Sequence, residues 1–305
     1  MASSYICDTG ICSALTDSVR RVCHLLPRET QPMIRLSTMA RETPDATIEE
    51  VIVRAARLGL DGVDIHLSGM DRELSYLQKV RWTCLQHGLT IGYAGSGTFV
   101  GESEGQQERL SQGRRDVDAG ALLGAQLLRV FARHAWPEDV TEQERLWGPM
   151  VDSFQQLADY AADQGVSLGL QNHDESSFCM TASQAKQILA DVDRPNFHFL
   201  MDTGQWKGAI GSHPRGEFDS AVDLYEDYLR PMAAQTVYVR AKIYKIDGGR
   251  EEWIDYRRVL GILRDANYNG TIGLVFELGD RNQCDIDEAT RLAVAHLRDV
   301  IAEGA

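Results

Sequence analysis

From Met33 onward, short apolar runs alternate with longer segments that carry apolar residues at helical spacing. The runs are rich in β-branched residues, as strands are, and the longer segments repeat apolar residues every three or four positions, as amphipathic helices do. The predicted strands are 33–38, 62–67, 89–94, 125–132, 166–174, 197–206, 236–244 and 272–280. The predicted helices are 47–58, 71–87, 105–123, 141–164, 181–192, 218–232, 255–266 and 286–302.

The first predicted helix carries signals for both of its ends. Thr47 stands just before the apolar stripe and Glu50 follows three residues later, which is the spacing of a capping box. Gly59 comes after the last residue of the stripe and can take the left-handed conformation that ends a helix. Gly124 and Gly165 stand at the same place after later helices. These signals support the predicted boundaries.

Strict alternation of strands and helices predicts the fold class, α/β. Alternating elements at this spacing imply parallel strands with right-handed crossovers, and eight such units close a (β/α)8 TIM barrel. We assign 32–305 to a single barrel domain and 1–31 to an N-terminal extension. The alternative is a doubly wound open sheet, which is weakened because no Gly-x-Gly-x-x-Gly follows the first strand. The Gly-rich segment 95–105 follows the third strand and is interpreted as an active-site loop.

Composition limits the classes of binding partner and the cellular compartment that we expect for this protein. The chain has 305 residues and a formal net charge of −14, whereas nucleic-acid binding needs a basic face, so we expect no nucleic-acid partner. No apolar run is long enough to span a membrane, and we expect no membrane association. The six cysteines are scattered without a Cys-x-x-Cys spacing, which is typical of reduced thiols and predicts a cytoplasmic protein.

Polar residues end the fifth to eighth predicted strands. They are Gln171, Asp202, Arg240 and Glu277. A barrel of parallel strands builds its site at these strand ends, and this mixture of side chains suits a sugar or another polyol. We expect Glu277 or His173 to act as the proton-transferring base, with Asp202 and Arg240 as further catalytic residues.

Further side chains are predicted to bind the substrate. Gln171 and Gln205 suit recognition of hydroxyl groups, and Lys242 shares a strand face with Arg240. His66 and Tyr93 end the second and third strands, and Trp206 can stack on the apolar face of a sugar ring. Three residues also have structural interpretations. Arg129 is interpreted as a member of a core ion pair, and Asp202 and Glu277 as the counter-charges of Arg240 and Lys242.

Several segments resemble the xylose-isomerase-like barrel family, which includes sugar-phosphate isomerases, ketose 3-epimerases, inosose-processing enzymes and the endonuclease IV group. The segments are LSTMARETPDATIEEVIVRAARLGLDGVDIH, GVSLGLQNHD, FLMDTGQW, VYVRAKIYKIDGG and IDYRRVLGILRDANYNGTIGLVFE. They resemble the family's first two strands with their helix, its fifth and sixth strands, and its seventh and eighth strands. The resemblance covers residues 33–302 and implies a (β/α)8 barrel.

The departures from the family's pattern bear on its metal site. The family usually binds one divalent cation through Glu, Asp, His and Glu on strands five to eight. The matching positions here are Gln171, Asp202, Arg240 and either Val275 or Glu277, depending on how the last strand aligns. Because Gln is neutral and Arg has no lone pair, we predict no metal and no other cofactor. Our hypothesis is that the Arg240 guanidinium replaces the cation and pairs with Asp202 bidentately.

The resemblance implies an isomerase or epimerase that acts on a carbohydrate, or on a related polyol or keto compound, by proton abstraction next to a carbonyl. One alternative is a metal-independent lyase or keto-glycoside hydrolase, including one recruited to natural-product biosynthesis. Another is a non-catalytic barrel that binds a small ligand. DNA repair is disfavoured because it depends on a metal cluster with many histidines. Barrels of this kind often form dimers or tetramers, so we expect a homo-oligomer with a small-molecule substrate.

Overall fold

The computed structural model describes residues 33–96, 105–132, 137–173, 177–210, 218–277 and 282–303. The chain divides into two units, Met1–Met33 and Ile34–Ala305. The predicted extension and most of the predicted Gly-rich loop lie outside the described residues, so the predictions made for them stay predictions.

Eight strands of the described residues form one closed barrel in chain order. They are β1 (Arg35–Ala40), β2 (Gly62–His66), β3 (Thr90–Gly95), β4 (Leu127–Phe131), β5 (Ser167–Gln171), β6 (Phe197–Asp202), β7 (Thr236–Ile243) and β8 (Thr271–Phe276). Every neighbouring pair is parallel, and β8 closes on β1. This confirms the predicted (β/α)8 barrel and excludes the open sheet.

Helices connect the strands on the outside of the barrel. They are α1 (Ile48–Arg57), α2 (Leu74–Gln86), α3 (Gln106–Leu123), α4 (Val140–Asp163), α5 (Ala182–Val192), α6 (Arg230–Met232), α7 (Tyr256–Asp265) and α8 (Ile286–Ala302). The predicted capping box of α1 is present: Glu50 N donates to Thr47 Oγ1 at 3.3 Å, and Thr47 N donates to Glu50 Oε2 at 2.8 Å. Gly59 has the predicted positive φ, 77°. None of the helices in these ranges combines the length and the apolar character that crossing a membrane requires.

The sixth helical segment differs from its prediction of 218–232. A π-helical stretch, Leu224–Leu229, leads into the single turn of α6. The segment begins late because the Asp223 side chain accepts hydrogen bonds from the amides of Tyr225 and Glu226 and so caps the first turn. Pro231 has no amide hydrogen to continue an α-helical ladder, which accounts for the wider turn before it.

Two apolar clusters hold the barrel. The larger one fills the layer between the outer faces of the strands and the helices, and it includes Leu36, Ile65, Phe154 and Phe199. The smaller one lies inside the barrel and consists of Tyr93, Leu127, Leu200 and Tyr238. The interior above this small cluster is filled by polar side chains, and these lead up to the site.

A buried carboxyl cluster lies in the middle of the barrel. Tyr238 OH donates to Asp64 Oδ1 at 2.5 Å, and Ser37 Oγ lies 2.6 Å from Tyr238 OH and 3.1 Å from Asp64 Oδ2. Two glycines leave room for it: a β-carbon at Gly92 would lie 2.5 Å from Asp64 Oδ1, and one at Gly273 would overlap Asp64 Oδ2 and Tyr238 OH. Sequence reasoning did not identify this cluster, because its members come from β1, β2 and β7.

Burial raises the pKa of Asp64 from 3.8 to about 6, although the hydrogen bonds of Tyr238 and Ser37 and the charge of Arg240 act in the opposite direction. The folded protein therefore favours the neutral carboxyl. The stability that this provides is fully present below pH 3.8 and is lost as the pH rises through about 6.

We expect Gly273→Ala to lower the free energy of unfolding by about 1–3 kcal/mol, because the added methyl group overlaps the Asp64–Tyr238 pair. Gly261→Ala is the matched control: its β-carbon would meet nothing within 4 Å on α7. At position 261, alanine should raise the free energy of unfolding by about 0.5–1 kcal/mol, because alanine favours a helix over glycine. Urea unfolding of both variants tests this, and equal stability of Gly273→Ala and the wild type would contradict the described packing.

We expect Asp64→Asn to gain stability relative to the wild type as the pH rises from 4 to 7, because the variant has no carboxyl to ionise there. The gain should approach roughly 3 kcal/mol, the cost of ionising a carboxyl whose pKa is raised by this much. Urea unfolding of both proteins at several pH values measures the difference. A difference that does not change with pH would show that the pKa of Asp64 is not raised.

Candidate active site

Polar side chains meet at the carboxyl ends of β5 to β8. The strand register sets this meeting: Asp202 pairs with Arg240 across β6 and β7, and Lys242 pairs with Val275 across β7 and β8. Because side chains alternate along a strand, Arg240 and Lys242 both point into the barrel.

Five of these side chains form a buried group that we call the charged floor. Its members are Gln171, Asp202, Gln205, Arg240 and Lys242, each at most 6% exposed. Arg240 Nη1 donates to Gln171 Oε1 at 2.6 Å and lies 3.4 Å from Asp202 Oδ2. Gln171 Nε2 is 3.2 Å from Asp202 Oδ2 and 3.3 Å from Gln205 Oε1. The floor is therefore one connected hydrogen-bond network.

Asp202 is the hub of the floor. Its Oδ1 accepts from the amides of Gly204 and Gln205, at 3.0 and 3.3 Å. Asn172 fixes the backbone around it, because Asn172 Oδ1 accepts from Asp202 N at 2.8 Å and Asn172 Nδ2 donates to Asp202 O at 3.1 Å. With no exposed surface, Asp202 positions its neighbours and does not touch a substrate in this conformation. Sequence reasoning missed Asn172, although it stands beside Gln171 at the end of β5.

The predicted bidentate pairing of Arg240 with Asp202 is wrong. A single ion-pair contact joins them, through Nη1 and Oδ2. The reason is that Asp202 is shared: two backbone amides and Gln171 Nε2 bind it, and Lys242 Nζ lies 3.7 Å from Oδ2.

Lys242 links the floor to Glu277. Its ammonium forms a short hydrogen bond with Glu277 Oε1. The Lys242 backbone is held from both sides, because its amide donates to Thr203 Oγ1 at 3.0 Å and its carbonyl accepts from Tyr256 OH at 2.7 Å. Gly204 leaves space for the Lys242 side chain, since a β-carbon at Gly204 would lie 2.8 Å from Lys242 Cγ.

The strand register also shows which β8 residue reaches the floor. Val275 lies beside Lys242 and is 6% exposed, whereas Glu277, just after β8, brings its carboxylate to Lys242. The side chain of Glu277 is 22% exposed, so it connects the buried floor with the open mouth of the barrel.

Three partly exposed side chains form what we call the rim: Glu277, His173 and His66. His173 follows β5, and its ring packs edge-on against Phe131 at 6.0 Å. Burial, followed by the charges of Arg129, Arg41 and Arg240, lowers the pKa of His66 to about 4, so its imidazole is neutral near pH 7. Of the predicted site residues, these three are the ones with side chains open to the mouth.

Two predicted substrate-binding residues lie elsewhere. Tyr93 is 1% exposed and packs edge-on against Tyr238 inside the barrel, below the floor. Trp206 does not face the mouth: it is fully buried in the outer apolar layer and stacks on Tyr228 with a centroid distance of 4.9 Å. Its side chain points outward from the end of β6 and packs against the sixth helical segment, which contains Tyr228.

Arg129 does not form the predicted core ion pair. Its Nη1 donates to Tyr93 OH at 3.4 Å and its Nη2 to the Ser96 carbonyl at 2.7 Å, so its described partners are uncharged. The guanidinium lies over the rings of Tyr93 and Phe131, at 5.3 and 5.0 Å. A charged residue inside an apolar strand was the sequence signal for this position.

The floor does not fit the divalent cation that is usual in the resembling family. Arg240 and Gln171 occupy two of the four ligand positions, and Arg240 donates a hydrogen bond to Gln171. The Lys242 ammonium lies between the carboxylates of Asp202 and Glu277. Positive side chains beside the carboxylates repel a further cation. Within the described ranges, His, Cys, Asp and Glu side chains form no group of three or more that could hold a metal ion.

The arrangement has the parts that enolate chemistry requires. Two fixed cations lie in a dry, low-dielectric floor, where they stabilise developing negative charge more strongly than they would in water. The rim supplies a carboxylate and two imidazoles within reach of the mouth.

Comparison with solved structures shows similar folds. A D-psicose 3-epimerase crystallised in the presence of D-fructose has a TM-score of 0.67 and 19% identity, covering 88% of this chain and 99% of that chain. The apo form of the 3-keto-D-glucoside 4-epimerase YcjR from E. coli has 0.68 and 18%, covering 87% and 99%. D-psicose 3-epimerase from Clostridium cellulolyticum H10 with D-tagatose has 0.68 and 18%, covering 88% and 99%.

At these identities the likeness to solved structures shows the fold alone. A search of curated protein sequences found no match. The pattern of the xylose isomerase-like TIM barrel family matches residues 52–300, and the chain therefore belongs to that family.

Proposed function

We propose that this protein is an isomerase or epimerase that acts on a carbohydrate, or on a related polyol or keto compound, without a divalent metal at the ends of β5 to β8. The observation that carries the proposal is the Lys242 ammonium held between the carboxylates of Asp202 and Glu277, with Arg240 on the other side of Asp202. The Lys242 and Arg240 cations therefore lie where the proposed reaction needs to stabilise negative charge.

The reaction begins with removal of a proton from the carbon next to the substrate carbonyl. Glu277 is the base, because its carboxylate is the one that reaches from the floor to the mouth. The electron pair of the C–H bond moves into the carbonyl and makes an enolate oxygen. Lys242 and Arg240 stabilise that oxygen electrostatically. Return of a proton to the same carbon from the opposite face inverts its configuration. Return of a proton to the former carbonyl carbon moves the carbonyl, because the hydroxyl on the deprotonated carbon then gives its proton to the enolate oxygen and becomes the new carbonyl.

His173 is the second proton-transferring group of the proposal. It follows β5, on the other side of the floor from Glu277 along the ring of strands, and its side chain is partly exposed. Two groups on different sides of a planar enolate are what an epimerase needs, because one removes the proton and the other returns it. The fold likeness to three sugar epimerases supports the substrate class.

We expect the protein to exchange a carbon-bound proton of a 2-keto sugar with D₂O, and Glu277→Gln to lower the exchange rate roughly 100-fold or more, since the variant has no base there. The probes are D-psicose, D-fructose, D-tagatose, D-fructose 6-phosphate and 2-keto-D-gluconate, followed by proton NMR. Glu303→Gln is the matched control, because Glu303 pairs with Arg257 on the surface.

Absence of exchange with every probe would contradict the proposed enolisation and favour a ligand-binding barrel. Exchange accompanied by a product of lower mass would contradict an isomerase and identify a lyase. Unchanged exchange in Glu277→Gln would remove Glu277 as the base.

We also expect the purified protein to hold no stoichiometric metal, and EDTA to leave its melting temperature and its exchange rate unchanged. The double variant Gln171→Glu with Arg240→His should bind Mn²⁺, because it replaces a neutral amide and a cation by a carboxylate and an imidazole beside Asp202 and Glu277. Its melting temperature should then rise with Mn²⁺ concentration.

Gln171→Glu alone is the control for this experiment, because it keeps the Arg240 cation. Elemental analysis by mass spectrometry measures the metal content. One tightly held metal ion per wild-type chain would overturn the metal-free part of the proposal and leave the isomerase class standing.

A further inference from the structure

Arg129 carries a buried positive charge that the described residues leave without an ion-pair partner. It is 4% exposed, and its two hydrogen bonds go to the Tyr93 hydroxyl and the Ser96 carbonyl. Its Nε is buried and donates to no acceptor. Burying a charge is costly unless it is paired, so Arg129 needs a counter-charge that the described residues do not supply.

The nearby carboxylates are committed to other groups. Asp64 accepts from Tyr238 and Ser37, and Asp202 is shared by Arg240 and Lys242. Asp116 pairs with Arg72 at 2.5 Å. Asp64 and Asp202 attract the Arg129 guanidinium only at longer range, and the positive charge of Arg240 repels it.

The guanidinium lies inside the barrel towards the carboxyl ends of the strands, and its charge acts on His66. Arg129 starts on β4, contacts the Ser96 carbonyl just beyond β3, and lies against the ring of Phe131 at the end of β4. His66, at the end of β2, pairs with Gly95 of β3, and Gly95 lies beside Arg129. Because glycine has no side chain, His66 and Arg129 border the same part of the mouth.

Both side chains there are hydrogen-bond donors. His66 Nδ1 accepts from the Ser68 amide at 3.3 Å, so the neutral ring carries its proton on Nε2. Arg41, after β1, and Arg240 add positive charge around His66. This side of the mouth therefore offers N–H groups of Arg129 and His66 and an excess of positive charge.

We propose that the β2–β4 side of the mouth binds an anionic group of the substrate, a carboxylate or a phosphate, through Arg129 and His66. This deepens the proposed function, on which it rests, by naming the substrate class: a sugar acid or a sugar phosphate. Arg129 forms charge-assisted hydrogen bonds to the anionic oxygens, and the neutral His66 donates a further one. The reacting carbonyl then lies towards the charged floor, on the other side of the barrel.

Binding of three unreactive polyols tests the proposal on the full-length protein: neutral D-glucitol, D-gluconate with a carboxylate, and D-glucitol 6-phosphate. Isothermal titration calorimetry should give roughly 10- to 100-fold tighter binding of one anionic probe than of D-glucitol, the effect expected for hydrogen bonds to a charged group. Which of the two anions binds identifies the source of the charge. Equal binding of D-glucitol and both anions by the wild type would overturn the proposal.

Arg129→Met should abolish the preference for the anion and leave the melting temperature unchanged or higher, because it removes a buried charge that lacks a counter-charge. Arg129→Lys, which keeps the charge but loses the planar fork, should give intermediate affinity. Arg257→Met, at a surface pair with Glu303, is the matched control. Retention of the anion preference in Arg129→Met would overturn the role of Arg129.

The proposed function and this inference fail in different ways. The three polyols have no carbonyl, so their binding does not depend on any reaction. Anion-selective binding without proton exchange would support the anion site and contradict the isomerase. Proton exchange with D-psicose, combined with equal binding of the three polyols, would support the isomerase and contradict the anion site.

Discussion

The Asp202 carboxylate pairs with two cations that the barrel holds away from water, and the upper interior depends on that pairing. Arg240 and Lys242 are 6% and 2% exposed, so neither can keep its charge by hydration. Asp202 is held in turn by two backbone amides and by Asn172, which limits its movement. Removing one partner of such a network leaves a buried charge uncompensated, and this costs more than the pair itself contributes.

The same barrel carries polarity at two further levels. Below the floor, the Asp64–Tyr238–Ser37 cluster occupies space that Gly92 and Gly273 leave open, and burial there raises the pKa of Asp64. Above it, Glu277 and the two rim histidines meet the mouth. Within two residues along β7, from Tyr238 to Arg240, the interior thus changes from a cluster with one titratable carboxyl to a network with two cations and a carboxylate.

In the charged floor, side-chain cations supply the positive charge that a bound metal ion usually supplies in this family. A bound metal ion supplies a concentrated charge that can be lost and exchanged, whereas Arg240 and Lys242 are covalently part of the chain and are oriented by it. On the opposite side of the mouth, Arg129 carries a charge that the described residues do not neutralise. The proposed chemistry and the proposed acidic substrate therefore rest on one electrostatic pattern. In the floor, the cations are paired with carboxylates, whereas the cation Arg129 has no carboxylate partner among the described residues.

Local signals in the sequence were enough to predict the order of the eight strands, the capping box of α1 and the polar strand ends, because periodicity and capping depend on residues a few positions apart. The departures at Gln171 and Arg240 already argued against a metal. Most contacts between distant strands were decided by barrel closure. Tyr238 and Asp64 stand 174 residues apart in the chain, yet they share a hydrogen bond. The pairing of Lys242 with Glu277 was predicted from the polar strand ends and is confirmed. That Trp206 turns outward and that Arg129 lacks a carboxylate among the described residues depend on strand stagger, which one strand's sequence does not encode.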